Sequence, residues 1–246
     1  MSAAAEQSTR LGPFTARVTG SEPLGGLALV RVDLDARTDL GQPGQFHMLR
    51  NAAGRDYLAR PVGLIPLDDG VGFVVDQASA QADLAGPELE VLGPLGRGFD
   101  LSEVDAETTL LVAAGFGLTV MPAIGRHYAR IRLIAGIRQS DHAPLAHLVP
   151  GVTLDTPVIA PNLVTGPLEE ALATGRYTQV LVAGPAALGV AAAELCSRHG
   201  VRSQVALEAP MACGFGGCYG CAVEIDGTWK RCCIEGPVVD GARLLA

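Results

Sequence analysis

Five of the chain's six cysteines fall in one glycine-rich stretch, CGFGGCYGCAVEIDGTWKRCC, residues 213–233. Thiols this dense restrict the local fold to one of three frameworks: a disulfide knot, a structural zinc site or an iron–sulfur cluster. The spacing is Cys213-x4-Cys218-x2-Cys221, followed after ten or eleven residues by Cys232 and Cys233. A C-x4-C-x2-C run with one distant cysteine is the ligand pattern of plant-type [2Fe–2S] proteins. Zinc ribbons and fingers pair two short C-x2–4-C knuckles, whereas this stretch has one C-x2-C, a longer gap and a CC pair, so the spacing favours iron–sulfur over zinc. Gly214, Gly216, Gly217 and Gly220 suit a loop that must take positive φ angles and turn backbone N–H groups toward sulfur. The spacing leaves open which of Cys232 and Cys233 is the fourth ligand. Cys196, in the helical AAAELCSRHG, is expected to be a small buried hydrophobe.

The chain's totals bear on the remaining choice. Hydrophobic residues make up 48% and charged residues 18%, a balance that folds around a real core. A formal charge of −8 with no basic stripe argues against a nucleic-acid binder, which needs clustered Lys and Arg. The opening MSAAAEQSTR lacks the apolar core of a secretory signal. The longest uncharged run, LLVAAGFGLTVMPAIG (110–125), is shorter than a bilayer span and carries three glycines and a proline. A soluble, cytoplasmic chain with reduced thiols is therefore expected, which argues against disulfides.

Two folding patterns precede the cysteines. Over the first hundred residues, FTARVTG (14–20), LALVRVDLD (27–35), QFHMLR (45–50), VGFVVD (71–76) and ELEVLG (88–93) read as strands separated by Gly and Pro. Alternation in the second of these puts Leu29, Arg31, Asp33 and Asp35 on one face, with Val30, Val32 and Leu34 on the other. Strands without intervening helices predict an antiparallel β-barrel over residues 10–105. From TTLLVAAG (108–115) onward, apolar strands such as IRLIAG, VTLDTPVIA and QVLVAG alternate with helical segments, among them TVMPAIGRHYAR and GPLEEALATG. That predicts a parallel-sheet α/β domain over 106–208, with residues 209–246 as a cysteine-bearing appendix. The glycines of AAGFGLTVMP, Gly115 and Gly117, either place N–H groups near a dinucleotide phosphate or only permit tight packing.

A barrel, an α/β domain and a [2Fe–2S] loop in this order resemble one family within the ferredoxin-reductase superfamily. It is the iron–sulfur flavoprotein electron-transfer subunit of the NAD-linked, two-subunit dihydroorotate dehydrogenase. The resemblance spans roughly residues 12 to 240 and is carried by PGQFHMLR, ARPVGL, VLGPLGRGF, VAAGFGLTVMP, VAGP, LEAPMACGFGGCYGCAVEI and CIEGPVV. It implies Cys213, Cys218, Cys221 and Cys233 as cluster ligands, because the family's closing cysteine stands two residues before Gly-Pro. It implies FAD on the barrel at Arg60, Pro61, Val62 and Gly63, where the arginine fork can pair with pyrophosphate. Val74, Val75, Ala78 and Ser79 carry over as further FAD contacts, and Gly115 and Gly117 as the nicotinamide turn. The sequence departs from the family where Gly63 replaces a serine. TPVIAPNLVTGPL replaces an acidic glycine-rich stretch, and Ala183-Gly184-Pro185 replaces Cys-Gly-Pro.

The resemblance implies electron transfer among NAD(H), FAD, a [2Fe–2S] cluster and an FMN-containing dihydroorotate dehydrogenase catalytic subunit, the two assembled as a heterotetramer; no catalytic acid or base is required. Related subunits of a ferredoxin–NADP transhydrogenase or a sulfide dehydrogenase share this build. A cluster- or zinc-bearing scaffold without nicotinamide activity is the reading from another class.

Overall fold

The computed structural model describes residues 12–34, 40–53, 58–76, 87–138, 143–145, 148, 152–155 and 157–245. The first seven strands are β1 (Gly12–Leu24), β2 (Leu27–Asp33), β3 (Phe46–Asn51), β4 (Arg60–Val62), β5 (Ile65–Leu67), β6 (Gly70–Asp76) and β7 (Glu88–Leu95). They form one antiparallel sheet in the order β4-β3-β7-β1-β2-β6-β5. Its outermost strands, β4 and β5, are joined by only Gly63 and Leu64, so the sheet curls into a barrel. Val30, Val32, Leu49, Phe73, Val75 and Leu89 fill the interior.

The second layer begins with β8 (Thr109–Ala114), a 3-10 turn over Gly115–Val120 and the short helix α1 (Met121–Gly125). Strands β9 (Arg132–Ile137), β10 (Thr153–Leu154) and β11 (Val158–Ile159) follow, then α2 (Thr165–Ala173), β12 (Gln179–Pro185), α3 (Ala186–Arg198) and β13 (Arg202–Glu208). The C-terminal segment adds the hairpin β14 (Ala222–Ile225) and β15 (Thr228–Arg231), the one-turn helix α4 (Cys232–Glu235) and β16 (Val238–Asp240). The main sheet runs β10-β9-β8-β12-β13-β16, parallel except for β16, and β11 also pairs with β9. Successive residues of β8 alternate between its faces. Leu110 and Val112 meet the α2–α3 side, while Leu111 and Ala113 meet the α1 side.

Three expectations change. On β2, Val30 and Val32 point inward as the alternation predicts, but Leu27 and Leu29 are buried too. They pack outside the barrel against Leu118, Met121 and Ile124, a tertiary contact that alternation cannot report. Asp35 lies outside the described residues. The expected helix through TVMPAIGRHYAR is only the 3-10 turn and the five residues of α1. VTLDTPVIA splits into β10 and β11 because Pro157 has no N–H for the ladder. The cysteine-bearing segment packs onto the α/β domain: β16 covers the edge of β13, and Cys221, Ile225, Cys232 and Cys233 share a core with Leu195, Val205 and Val239.

Candidate functional site

From β8 the chain moves to β9 on one side, then returns to β12 on the other. Loops leaving β8 and β12 therefore diverge, and a crevice opens beyond their carboxyl ends, where open α/β sheets bind ligands. A cleft of ≈ 150 Å³ lies there. The barrel supplies Phe46, Pro61, Val62 and Gly63, and the turn after β8 supplies Phe116, Gly117 and Thr119. Ala183, Gly184, Leu207 and Glu208 come from the ends of β12 and β13, and Met211 and Pro237 from the C-terminal segment.

Gly117 is fixed by packing as well as by the cleft. A Cβ there would collide with the Ala183 carbonyl and meet the Gly184 nitrogen at 2.6 Å, both backbone of β12. Gly115 has φ +58 with open space around its missing side chain and does not line the cleft. Packing and ligand approach are thus two aspects of one tight turn.

Among the expected flavin residues, Pro61, Val62 and Gly63 line the cleft, and Arg60 precedes them on β4 opposite Leu49. Val74 and Val75 do not line it. Their side chains are buried on opposite faces of β6, one against the second domain and one inside the barrel. Ala78 and Ser79 lie outside the described residues. At Gly63, where the resemblance expects a serine, the atom nearest to an added Cβ is Thr119 Oγ1 at 3.7 Å. Thr119 is 7% exposed, and its hydroxyl donates to the Phe116 carbonyl at 2.7 Å. A hydroxyl thus reaches this wall from the opposite domain. Glu208 is the one ionisable residue among those lining the cleft. Desolvation pushes its pKa up, and an opposing hydrogen bond comes from the Gly117 N–H. Sequence reasoning assigned no role to Thr119 or Glu208, although both stand inside the stretches that carry the resemblance.

Beyond Met211 the chain forms a nest of thiols. Gly214 and Gly216 take φ +76 and +86, while Gly217 and Gly220 do not need positive φ; Tyr219 takes φ 59 instead. The N–H of Gly217 donates to Cys213 Sγ at 3.3 Å, and that of Gly220 to Cys218 Sγ at 3.3 Å. The N–H of Cys233 reaches Cys221 Sγ at 3.5 Å. Desolvation opposes ionisation of Cys213, but the N–H groups of Cys218, Phe215 and Gly217 and the Cys218 thiol bring its pKa down to about 6. Cys233 is pushed up to about 12 by burial and by its hydrogen bond with the Cys221 thiol.

Cys232 faces elsewhere. Its Sγ lies 3.7 Å from the Leu207 carbonyl, on the cleft side of the nest. Burial pushes its pKa up to about 12. Cys196, on the buried face of α3, is fully buried, as expected.

Among the described residues, no three His, Cys, Asp or Glu side chains gather as ligands of a single metal ion. Thiol hydrogen bonds join Cys213 to Cys218 and Cys221 to Cys233. Two pairs of thiolates are what a binuclear cluster takes, two on each iron, with N–H groups already aimed at the sulfurs. The residues present fit that group.

The segment 208–245 matches the family model of the iron–sulfur cluster binding domain of dihydroorotate dehydrogenase B. A relative from Shouchella clausii, an electron transfer subunit of dihydroorotate dehydrogenase B (NAD(+)), is 30% identical over 224 residues. That match covers 81% of this chain and 85% of the relative. The chain belongs to this family. The family's Clostridium perfringens subunit is 28% identical over 212 residues, covering 80% of this chain and 85% of its own length.

Solved structures agree on the fold. An NADH-dependent reduced ferredoxin-NADP oxidoreductase aligns with TM-score 0.72 at 19% identity, covering 96% of this chain and 90% of that one. The FAD/NAD binding domain of a Vibrio cholerae nitric oxide dioxygenase aligns with TM-score 0.56 at 16% identity, covering 82% of this chain and 100% of that domain. Electron transfer requires the cleft and the nest to lie close together. They share a wall: Leu207, Met211 and Pro237 line the cleft, Cys213 follows Met211 by two residues, and α4 ends just before Gly236-Pro237.

Proposed function

We propose that this chain is the electron-transfer subunit of a dihydroorotate dehydrogenase, relaying electrons between NAD(H) and a catalytic partner. The observation that carries this reading is the wall shared by the cleft and the thiol nest. Pro61, Val62, Gly63, Phe116 and Thr119 would hold FAD, with Arg60 toward its pyrophosphate. Cys213, Cys218, Cys221 and Cys233 would hold a [2Fe–2S] cluster. Held there, the flavin would supply two-electron hydride exchange with nicotinamide and the cluster one-electron transfer. The chain's own residues bind, orient and shield these groups. The tight turn at Gly117 sets the cleft's width, and the N–H groups of Gly217 and Gly220 tune the sulfur charge. Burial of Cys221 and Cys233 keeps water from one side of the nest.

The partner would dock over the other side. Phe215, Tyr219, Trp229 and Ile234 are 62%, 60%, 72% and 41% exposed around the nest. A groove of ≈ 420 Å³, lined by Met48, Val91, Leu92, Ala212 and Phe215, opens beside Cys213. Large apolar side chains grouped this way mark an interaction surface. The partner would be an FMN-containing dihydroorotate dehydrogenase subunit, the whole a heterotetramer in the cytoplasm. Among the described residues, no helix is long and apolar enough to cross a membrane.

The test is a visible spectrum of protein purified without oxygen, before and after NADH. Overlapping flavin and cluster bands that bleach on NADH addition are expected; a colourless protein that iron, sulfide and FAD cannot restore would overturn the reading. For the surface, Phe215→Asp with Trp229→Asp should weaken assembly with the catalytic subunit by about 100-fold, roughly the loss of two contact anchors. The bands should remain, and unchanged assembly measured by calorimetry would place the partner elsewhere.

A further inference from the structure

Arg231 joins the two chain segments that carry the thiols. Its Nη1 donates to the Gly216 carbonyl at 3.2 Å, and its Nη2 donates to Glu235 Oε1 at 3.2 Å. The guanidinium lies 5.0 Å from the centre of the Tyr219 ring. Gly216 and Tyr219 belong to the loop between Cys213 and Cys221, whereas Glu235 follows Cys233 on α4. One planar fork thus spans both segments, with a geometry that a lysine cannot reproduce.

The pair is poor at stabilising the fold. Its side chains are 30% and 29% exposed, a range in which solvent screening leaves an ion pair little net stabilisation. Its location gives it a different use. Arg231 interacts electrostatically with Cys233, and the Gly216 carbonyl that it grips shares a peptide unit with the Gly217 N–H, which donates to Cys213 Sγ at 3.3 Å. The second carboxylate oxygen, Glu235 Oε2, is buried without a hydrogen-bond partner. With Arg231 in place the pair is neutral. Without it, a carboxylate with one unsolvated oxygen would stand beside the thiols.

We propose that the Arg231–Glu235 pair sets the reduction potential of the cluster, with Arg231 acting as a positioning residue. This rests on the assignment of Cys213, Cys218, Cys221 and Cys233 as its ligands. Reduction adds an electron to an anionic centre, so an uncompensated carboxylate opposes it and an uncompensated guanidinium favours it; net charge and hydrogen bonds to sulfur are what set such potentials. The grip on the Gly216 carbonyl adds to the effect of the charge by holding the Gly217 N–H on the Cys213 sulfur.

The experiment is a dye-mediated redox titration of the holoprotein, followed by cluster absorption and low-temperature EPR. At a fixed solution potential, Arg231→Gln should shift the ratio of reduced to oxidised cluster about tenfold toward oxidised, 59 mV for a one-electron couple. Glu235→Gln should shift it about threefold to tenfold the opposite way, and the double variant should return to within about twofold of the parent. Arg231→Lys keeps the charge, so its potential should stay near the parent's while iron is lost faster in chelator. Shifts of one sign in both single variants, or no shift beyond twofold in either, would overturn the proposal. Should Arg231→Gln fail to keep a cluster, Glu235→Gln and Arg231→Lys still decide the sign. A parent protein without iron would overturn the ligand assignment instead, which separates the two failures.

Discussion

Cys233→Ala protein, purified without oxygen, is expected to hold less than about a tenth of the parent's iron and to lack its cluster bands, while Cys232→Ala keeps both. Adjacent residues on a helical turn point about 100° apart, so the two thiols cannot face the same centre. The structure separates them. Cys233 shares a hydrogen bond with the Cys221 thiol, and its N–H reaches Cys221 Sγ at 3.5 Å. Cys232 is 0% exposed and turns to the Leu207 carbonyl at 3.7 Å, between the cleft wall and the nest. Removing a ligand dismantles the cluster, whereas removing a buried sulfur leaves a small void. The void should cost about 1–2 kcal/mol, read as a fall in Tm of about 2–8 °C. Iron analysis and absorption on the two variants side by side decide the matter. Iron retained in Cys233→Ala and lost in Cys232→Ala would transfer the fourth-ligand role to Cys232.

That contrast also shows what one sequence carries. The spacing Cys213-x4-Cys218-x2-Cys221 is local, and a loop must obey it wherever it sits, so the nest was legible before any fold was known. The continuous apolar run Thr109–Ala114 was legible for a similar reason, since a strand buried on both faces needs no polar alternation. The cleft was less so. Phe46, Val62, Thr119, Glu208 and Pro237 meet there from five separate segments, and nothing in their spacing announces the meeting. Val74 and Val75 carry over from the family by position, yet the barrel interior and the domain contact claim their side chains. One signal was present and unused: Asp226-Gly227, with φ 55 and 62, is the two-residue turn that makes EIDGTWK a hairpin. That hairpin carries Trp229 outward and delivers Arg231 to the nest.

Gly117 should be the least replaceable residue of the cleft, and Gly115 its control. A methyl group on Gly117 would drive into the Ala183 carbonyl and the Gly184 nitrogen. Those atoms cannot yield, because β12 is paired with β8 as far as Ala183 and with β13 as far as Pro185. The turn would have to move instead, taking Phe116, Thr119 and the N–H that reaches Glu208 with it. Overpacking against rigid backbone costs about 1–3 kcal/mol, and a displaced wall also reshapes the site for its ligand. Gly117→Ala is therefore expected to bind FAD at least about tenfold more weakly, the equivalent of about 1.4 kcal/mol. Gly115→Ala meets no neighbour within 4 Å and bears only the cost of φ +58, about 1–2 kcal/mol, away from the cleft. Both variants should melt earlier than the parent, but only Gly117→Ala should lose flavin on gel filtration. Equal flavin retention in the two would mean that the cleft's ligand does not touch the turn after β8. The barrel residues Pro61, Val62 and Gly63 would then hold it alone.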